Sequence, residues 1–375
     1  MNFRRFLYMV ANDGVDRSYS LRRIDTSRFF FRASTEGTPT HLDSDGAGAA
    51  LPSAMQDGGR LPRPLINLRP PHLQHTPGKI GFVLFKNRGG GGGGARGGHD
   101  KVVAMDNAAR SFICDPVLPP AARALPSLSS PKFAPFSLTV GDSLYLMDAV
   151  PKPPNGCGMH SFEVLSNDDD PDNFKCKGWH WSPLDHPPHV YDYFPSWIDS
   201  YAVVAGTGIA VSNNASTQTF RFDMADRTWS KAGDWVLPFT RLGDYVPEHK
   251  LWFGISSVED GHRFCAANLV GLPDSGEMSP PVVHGLWKEY AEPPPEWSVA
   301  EAYAVHLGSS RFCIVRFFSI GEIRVETYET YMVEEEYQAV VTGVEVQRCG
   351  DELRVVKHKS ERYKLAFDVD YRVLC

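Results

Sequence analysis

The chain has 375 residues, 42% hydrophobic, 12% aromatic and 22% charged: globular composition, with room for two or three average domains or one large all-β domain. Lys and Arg number 38 against 45 Asp and Glu, and a net charge of -7 argues against a chain built to coat nucleic acid or an anionic membrane. Apolar runs such as Phe82 to Phe85 and Tyr201 to Ala205 fall far short of a bilayer span, and 29 Pro with 33 Gly indicate many turns.

Arg4 and Arg5 precede a short apolar run, Phe6 to Ala11, that Asn12-Asp13 cuts off before it reaches signal-peptide length. Residues 3 to 11 and 19 to 31 read as two strands around the Asn12-Asp13-Gly14 turn. Segment 34–78 is rich in Pro, Gly, Ser and Thr and reads as a low-complexity excursion. The glycine run Gly89 to Gly94 lacks the Gly-Lys-Ser/Thr end of a phosphate loop and reads as a hairpin connection. From residue 80 onward, short β-branched and aromatic runs alternate with turn signals. They give strands at Ile80–Phe85, Lys101–Met105, Ser111–Cys114, Phe136–Val140, Ser143–Asp148 and Ser161–Leu165. The series continues at Ser200–Ala205, Gly208–Ser212, Thr219–Asp223, Leu242–Tyr245, Leu251–Ser256 and Arg263–Asn268. Ala302–His306, Arg311–Phe318, Tyr337–Arg348 and Leu353–His358 complete it. One short helix is expected around Pro281 to Tyr290.

Residues 200 to 239 form a unit: strand, Gly turn, strand, polar loop, strand ending in Phe222-Asp223, turn, then Trp229 opening a fourth strand before Leu237-Pro238. Parts recur at 111 to 128, 137 to 150, 242 to 257 and 301 to 318. Irregular units of about 40 to 60 residues, each of about four strands, are what a β-propeller requires. A blade cannot bury both sheet faces alone, so neighbours stack until the ring closes. The prediction is an all-β propeller of about six irregular blades spanning 79–375, with residues 1–33 supplying the closing strands beside the C-terminal segment. The competing architectures are a β-sandwich or two smaller β domains.

The stretch TFRFDMADRTWSKAGDWVLPF resembles a kelch-type blade, with Asp223 and Trp229 at the strand-end Asp and outer-strand Trp positions. Ala205-Gly206 stands where kelch repeats carry a diglycine, so the resemblance extends to the broader kelch-like and F-box-associated propellers. The chain is also similar to a large rice-type family of grass proteins, domain of unknown function 1668. MNFRRFLYMVAND, YSLRRIDTSRFFF, PKFAPFSLTVGDSLYLMD, WSKAGDWVLPF, YVPEHKLWFGISS and VKHKSERY carry that similarity. It implies a propeller fold, and no catalytic residue carries over from it. F-box propellers present substrates to ubiquitin ligases, but nothing here resembles the F-box helices.

Seven cysteines, an odd number without CxxC spacing, read as free thiols in a reducing compartment, cytosol or nucleus; Cys157 and Cys176 flank an acidic loop and could pair on oxidation. The segment from Trp179 to His189 gathers His180, His186 and His189 with Asp185, next to Cys176. These are zinc-ligand types in a spacing that matches no metal motif. Asp168 to Asp170 with Asp172, and Glu334 to Glu336, read as solvated loops. Asp244 with His249, and Glu259-Asp260 with His262, are candidate acid–base pairs. Gly206-Thr-Gly208 lacks the third glycine of a dinucleotide fingerprint and reads as a hairpin turn. The basic cluster Lys357, His358, Lys359, Arg362 and Lys364 reads as a solvated strand. Tyr191, Tyr193, Trp197 and Trp297, in aromatic and proline-rich connections, are candidate rim anchors for a partner.

No catalytic constellation is legible, so the primary expectation is a non-enzymatic propeller that binds a protein, monomeric, without cofactor, nucleic acid or membrane. The alternative is a propeller enzyme, metal-assisted or carbohydrate-acting, sited at Trp179 to His189.

Overall fold

The computed structural model describes residues 4–31, 40–42, 56–71, 78–86, 100–116, 120–153, 159–167, 178–188, 197–213, 215–269, 278–288, 296–321, 324–326, 329–331, 336–350, 352–366 and 368–375. Four-strand groups follow one another along the chain. The first joins the two ends: Val369–Leu374 pairs antiparallel with Phe6–Asp13, followed outward by Ser18–Asp25 and Ile66–Leu68. The second runs Ile80–Phe85, Lys101–Asp106, Ser111–Asp115, Ala121–Leu125, and the third Phe136–Val140, Ser143–Met147, Phe162–Asn167, Trp179–Leu184. The fourth is Ser200–Val204, Gly208–Asn213, Gln218–Asp223, Thr228–Gly233. The fifth is Thr240–Val246, Leu251–Ile255, Phe264–Asn268, Val282–Trp287. The sixth is Trp297–Gly308, Arg311–Ile320, Glu336–Cys349, Glu352–Leu365, with Thr40–Leu42 and Gln56–Arg60 pairing on its outer strand. The fourth and fifth groups touch through parallel pairing of Ser200–Ala202 with Arg241–Gly243.

Strand alternation explains why these groups form a ring. Successive side chains point to opposite sheet faces, so each strand supplies two neighbours at once. Leu7 and Met9 join Val305, Val315 and Val341 of the sixth group, while Tyr8 and Val10 join Leu84 and Val102 of the second. Likewise Phe253 and Ile255 pack on Phe312 and Ile314, whereas Trp252 packs on Ala202 and Val204. The third group shares one core with the second through Val103 and Leu146, and another with the fourth through Phe162 and Phe222. Each group thus packs one face against the sheet before it and the other against the sheet after it: a β-propeller. The first strand of each later group, with Val369–Leu374 in the first, lies innermost.

One turn device recurs. Asp13, Asp106 and Asp223 each end a strand, and each is followed by three residues, then Arg, then Ser or Thr, then an aromatic residue. The carboxylates accept the N–H groups of Val15 and Asp16, of Ala108 and Arg110, and of Ala225 and Asp226. The aromatic residue then opens the next strand. Trp229 lies 5.1 Å from Phe222 and 5.9 Å from Phe162 of the third group, and its Nε1 donates to Asp185 O at 2.7 Å.

The helix expected at Pro281 to Tyr290 is absent: Val282–Trp287 is a strand paired with Phe264–Asn268. Two adjacent valines and Gly285 disfavour helix, and Trp287 is drawn under Phe264 into the shared core. Among the described residues, no helix is long and apolar enough to cross a membrane.

Candidate functional site

The innermost strands leave two cavities on the axis, of about 420 and 400 Å³, both bounded by Leu84, Ser137 and Cys375. Both strands that build the polar wall of the larger one are irregular. Thr240–Val246 shifts register against Leu251–Ile255 between Thr240 and Asp244, and Arg241 sits there at φ +68°, a left-handed conformation costly for a residue with a Cβ. Its backbone N–H is held by Asp199 O at 2.6 Å. Trp297–Gly308 shifts register between Val299 and Glu301, and two-residue alternation puts Glu301 and Tyr303 on one face. Arg241 Nη2 then lies 3.0 Å from Glu301 Oε1, with its guanidinium 4.6 Å from the Tyr303 ring centre, and Tyr303 Oη donates to Glu301 Oε2. Asp199, Tyr201 and Arg372 line the same cavity, Tyr201 stacked on Phe136 at 4.0 Å.

Desolvation opposes the Arg241 charge, but Tyr303, Glu301 and Tyr201 more than restore it, and its pKa is raised. Burial raises the phenols of Tyr201 and Tyr303, the latter strongly, so both remain neutral donors across the physiological range. In the smaller cavity Lys86 Nζ meets Asp244 Oδ2 at 2.6 Å, beside Thr139, Tyr245 and Trp252. Cys375 sits between the two. Desolvation raises its thiol despite Arg4, Lys86 and Arg241, so it is a poor nucleophile at neutral pH.

The family described as a protein of unknown function (DUF1668) matches residues 4–363. The chain belongs to the DUF1668 family. No curated protein matches its sequence. Solved structures similar to this DUF1668 chain include a protein from Lactobacillus plantarum, at TM-score 0.38 and 9% identity over 96% of this chain and 100% of that one. Another is a candidate 6-phosphogluconolactonase from Bacteroides uniformis, at TM-score 0.37 and 11% identity over 98% and 100%. The expectation of a non-enzymatic protein-binding module is corrected here: the polar side chains that converge, Arg241, Glu301 and Tyr303, do so inside an axial cavity of small-molecule size.

The residues singled out in sequence scatter around the DUF1668 ring. His180 lies on Trp179–Leu184, the outermost strand of the third group, with Nε2 3.2 Å from Ser166 Oγ. Its neighbours Trp179 and Trp181 pack between groups, against Phe85 and through Nε1 to Ser111 Oγ at 3.1 Å. Desolvation lowers the His186 pKa, with Asp185 opposing it and His160 adding to it. Among the described residues, no three His, Cys, Asp or Glu side chains gather to hold a metal. His189, Tyr191, Tyr193, Cys157, Cys176, Asp168 to Asp170, Asp172, Glu334 and Glu335 lie outside the described residues, as does the Gly89 to Gly94 run.

Trp197 is 51% exposed at the mouth of the larger cavity, whereas Trp297 packs edge-on against Phe318. The acid–base pairs are not brought together: Asp244 meets Lys86, while the His249 ring packs on Phe253 at 5.7 Å. Asp260 accepts from Ser257 within its turn, and the His262 carbonyl accepts from Arg316. Ala205 and Gly206, at φ +50° and +71°, form the hairpin turn expected there. On the basic strand Lys364 pairs with Glu336 and Lys359 lies over Phe31, while desolvation lowers the His358 pKa and its Nε2 lies 3.4 Å from Glu345. Sequence reasoning missed Arg241, Glu301, Tyr303 and Lys86. They stand on three separate stretches of ordinary sequence, Glu301 and Tyr303 together on one strand, Arg241 on another and Lys86 just past a third, and no local spacing marks them.

Proposed function

We propose that this DUF1668 chain is a propeller enzyme that hydrolyses a small anionic carbohydrate derivative in the larger axial cavity. The observation that carries the reading is the Arg241–Glu301–Tyr303 network, built from two irregular innermost strands inside a cavity of small-molecule size. Arg241 and Arg372 offer charge-assisted hydrogen bonds to a carboxylate or phosphate. Glu301, held by Tyr303, takes the proton of an attacking water and returns it to the leaving alkoxide as the ester or lactone C–O bond breaks, while the neutral Tyr201 hydroxyl donates to the carbonyl oxygen that becomes negative. The left-handed Arg241 fits a strained functional position.

The same reading takes the units as kelch-like, supported by the matching turns at Asp13, Asp106 and Asp223. It places the chain in a reducing compartment, supported by free, buried Cys114, Cys265 and Cys313; burial pushes the Cys114 thiol up to about 11.

The test is a turnover screen against sugar-acid lactones and sugar-phosphate esters. Glu301→Gln should lower kcat/KM by about 10²–10⁴-fold with the fold intact, and Arg241→Gln should chiefly weaken substrate binding. An activity that neither substitution changes overturns the reading.

A further inference from the structure

We infer that the exposed aromatic pair at the cavity mouth, Phe133 and Trp197, is a stacking platform for a second sugar ring. The natural ligand is then an acidic oligosaccharide rather than a single ring. This rests on the proposed function and specifies its substrate class.

Phe133 and Trp197 are 54% and 51% exposed, and their ring centres stand 6.2 Å apart at 60°. Exposed aromatic surface is ordinary when scattered singly, but here two large rings adjoin at the entrance of a polar cavity. Trp197 itself lines that cavity, together with Arg241, Glu301 and Arg372. The Phe133 ring also carries Lys79 Nζ 5.6 Å from its centre, so a cation stands beside the platform.

The backbone beneath the rings is pinned at several points. Phe133 N–H donates to Asp148 Oδ1 at 2.6 Å, and Ile198 N–H to Ala149 O at 2.8 Å, so one turn holds both rings. Ala134 is held left-handed at φ +45°. Next to Phe133, the fully buried Lys132 ammonium is gripped by the His160 carbonyl at 2.5 Å and by Glu163. A backbone fixed in this way loses little freedom on binding, which lowers the cost of the contact. An aromatic face accepts the C–H face of a pyranose, while the ring's hydroxyls and carboxylate remain for polar partners. Asp199, Glu301 and the two arginines supply those partners one ring further in.

The test is isothermal titration of the full chain with galacturonic acid and with its linear trimer. Wild type should bind the trimer at least tenfold more tightly than the monomer. Phe133→Ala, whose ring does not line the cavity, should erase most of that factor while leaving monomer affinity within twofold; Trp197→Ala should erase it too, and Trp197→Phe should restore part of it. Both rings are half-exposed, so melting temperatures should stay unchanged and report intact folding. The platform is overturned if wild type does not favour the trimer or binds neither saccharide, or if Phe133→Ala leaves the preference intact or weakens both ligands equally. Arg241→Gln separates the two readings: it should weaken monomer and trimer alike. If it weakens neither while Trp197→Ala still erases the trimer preference, the cavity reading fails and the platform stands.

Discussion

The outer strand Trp179–Leu184 and the axial strands Thr240–Val246 and Trp297–Gly308 invert what their sequences advertise. The outer strand and the residues after it hold histidines, tryptophans and an aspartate in one short stretch. In space they serve packing: Trp181 bonds across to Ser111, and Asp185 O receives the Trp229 indole. The axial strands carry no motif, yet Arg241 and Glu301, sixty positions apart, meet at 3.0 Å. A site needs convergence, and in a propeller convergence occurs at the axis. Side chains close together along an outer strand point alternately to two different neighbours.

The comparison breaks first at Trp181. Trp181→Ala should cost about 2–3 kcal/mol, below the full-burial figure because the ring is only partly buried. Chemical denaturation would show this, with binding at the axial cavity unchanged in the folded fraction. If the substitution abolished ligand binding at constant stability, the outer strand would be the site after all.

A smaller effect is expected at Asp148, which joins the third group to the cavity rim. Burial, opposed chiefly by the Phe133 N–H and Lys132, raises its pKa to about 7. The native state therefore keeps a proton that the unfolded chain releases near pH 4, so stability falls as pH rises from about 4 to 7 and levels off above. Asp148→Asn should flatten that decline in melting temperature between pH 5 and 8. An unchanged slope would show that Asp148 titrates normally.

The smallest effect is expected at His180 and His186. Single alanine substitutions should change stability by no more than about 0.5 kcal/mol and leave turnover intact, read by melting temperature and by the lactone and phosphate-ester screen. A loss of activity in either would restore the outer segment as the catalytic one.

Much of the fold was legible because strand alternation and turn chemistry are local. The Phe222-Asp223 strand end and Trp229 marked the fourth group directly. The same Asp-to-aromatic spacing at Asp13 and Asp106 was also present to be read, though less obvious with Tyr19 and Phe112 in place of Trp. Val282–Trp287 was misread because its outward valines and inward Trp287 take their meaning from Phe264 on the neighbouring strand. The cavity was illegible for a related reason. Neither the left-handed turn at Arg241 nor the register shift before Glu301 leaves a signature in residue type.

The sequence by itself determined that this chain is all-β, built of stacked four-strand units and closed by its own two ends, because hydrophobic alternation and Asp-anchored turns act over a few residues. Only the tertiary structure decided which side chains share the axis. That depends on the ring bringing the innermost strands together, and on two register shifts that turn an arginine, a glutamate and a tyrosine toward one cavity.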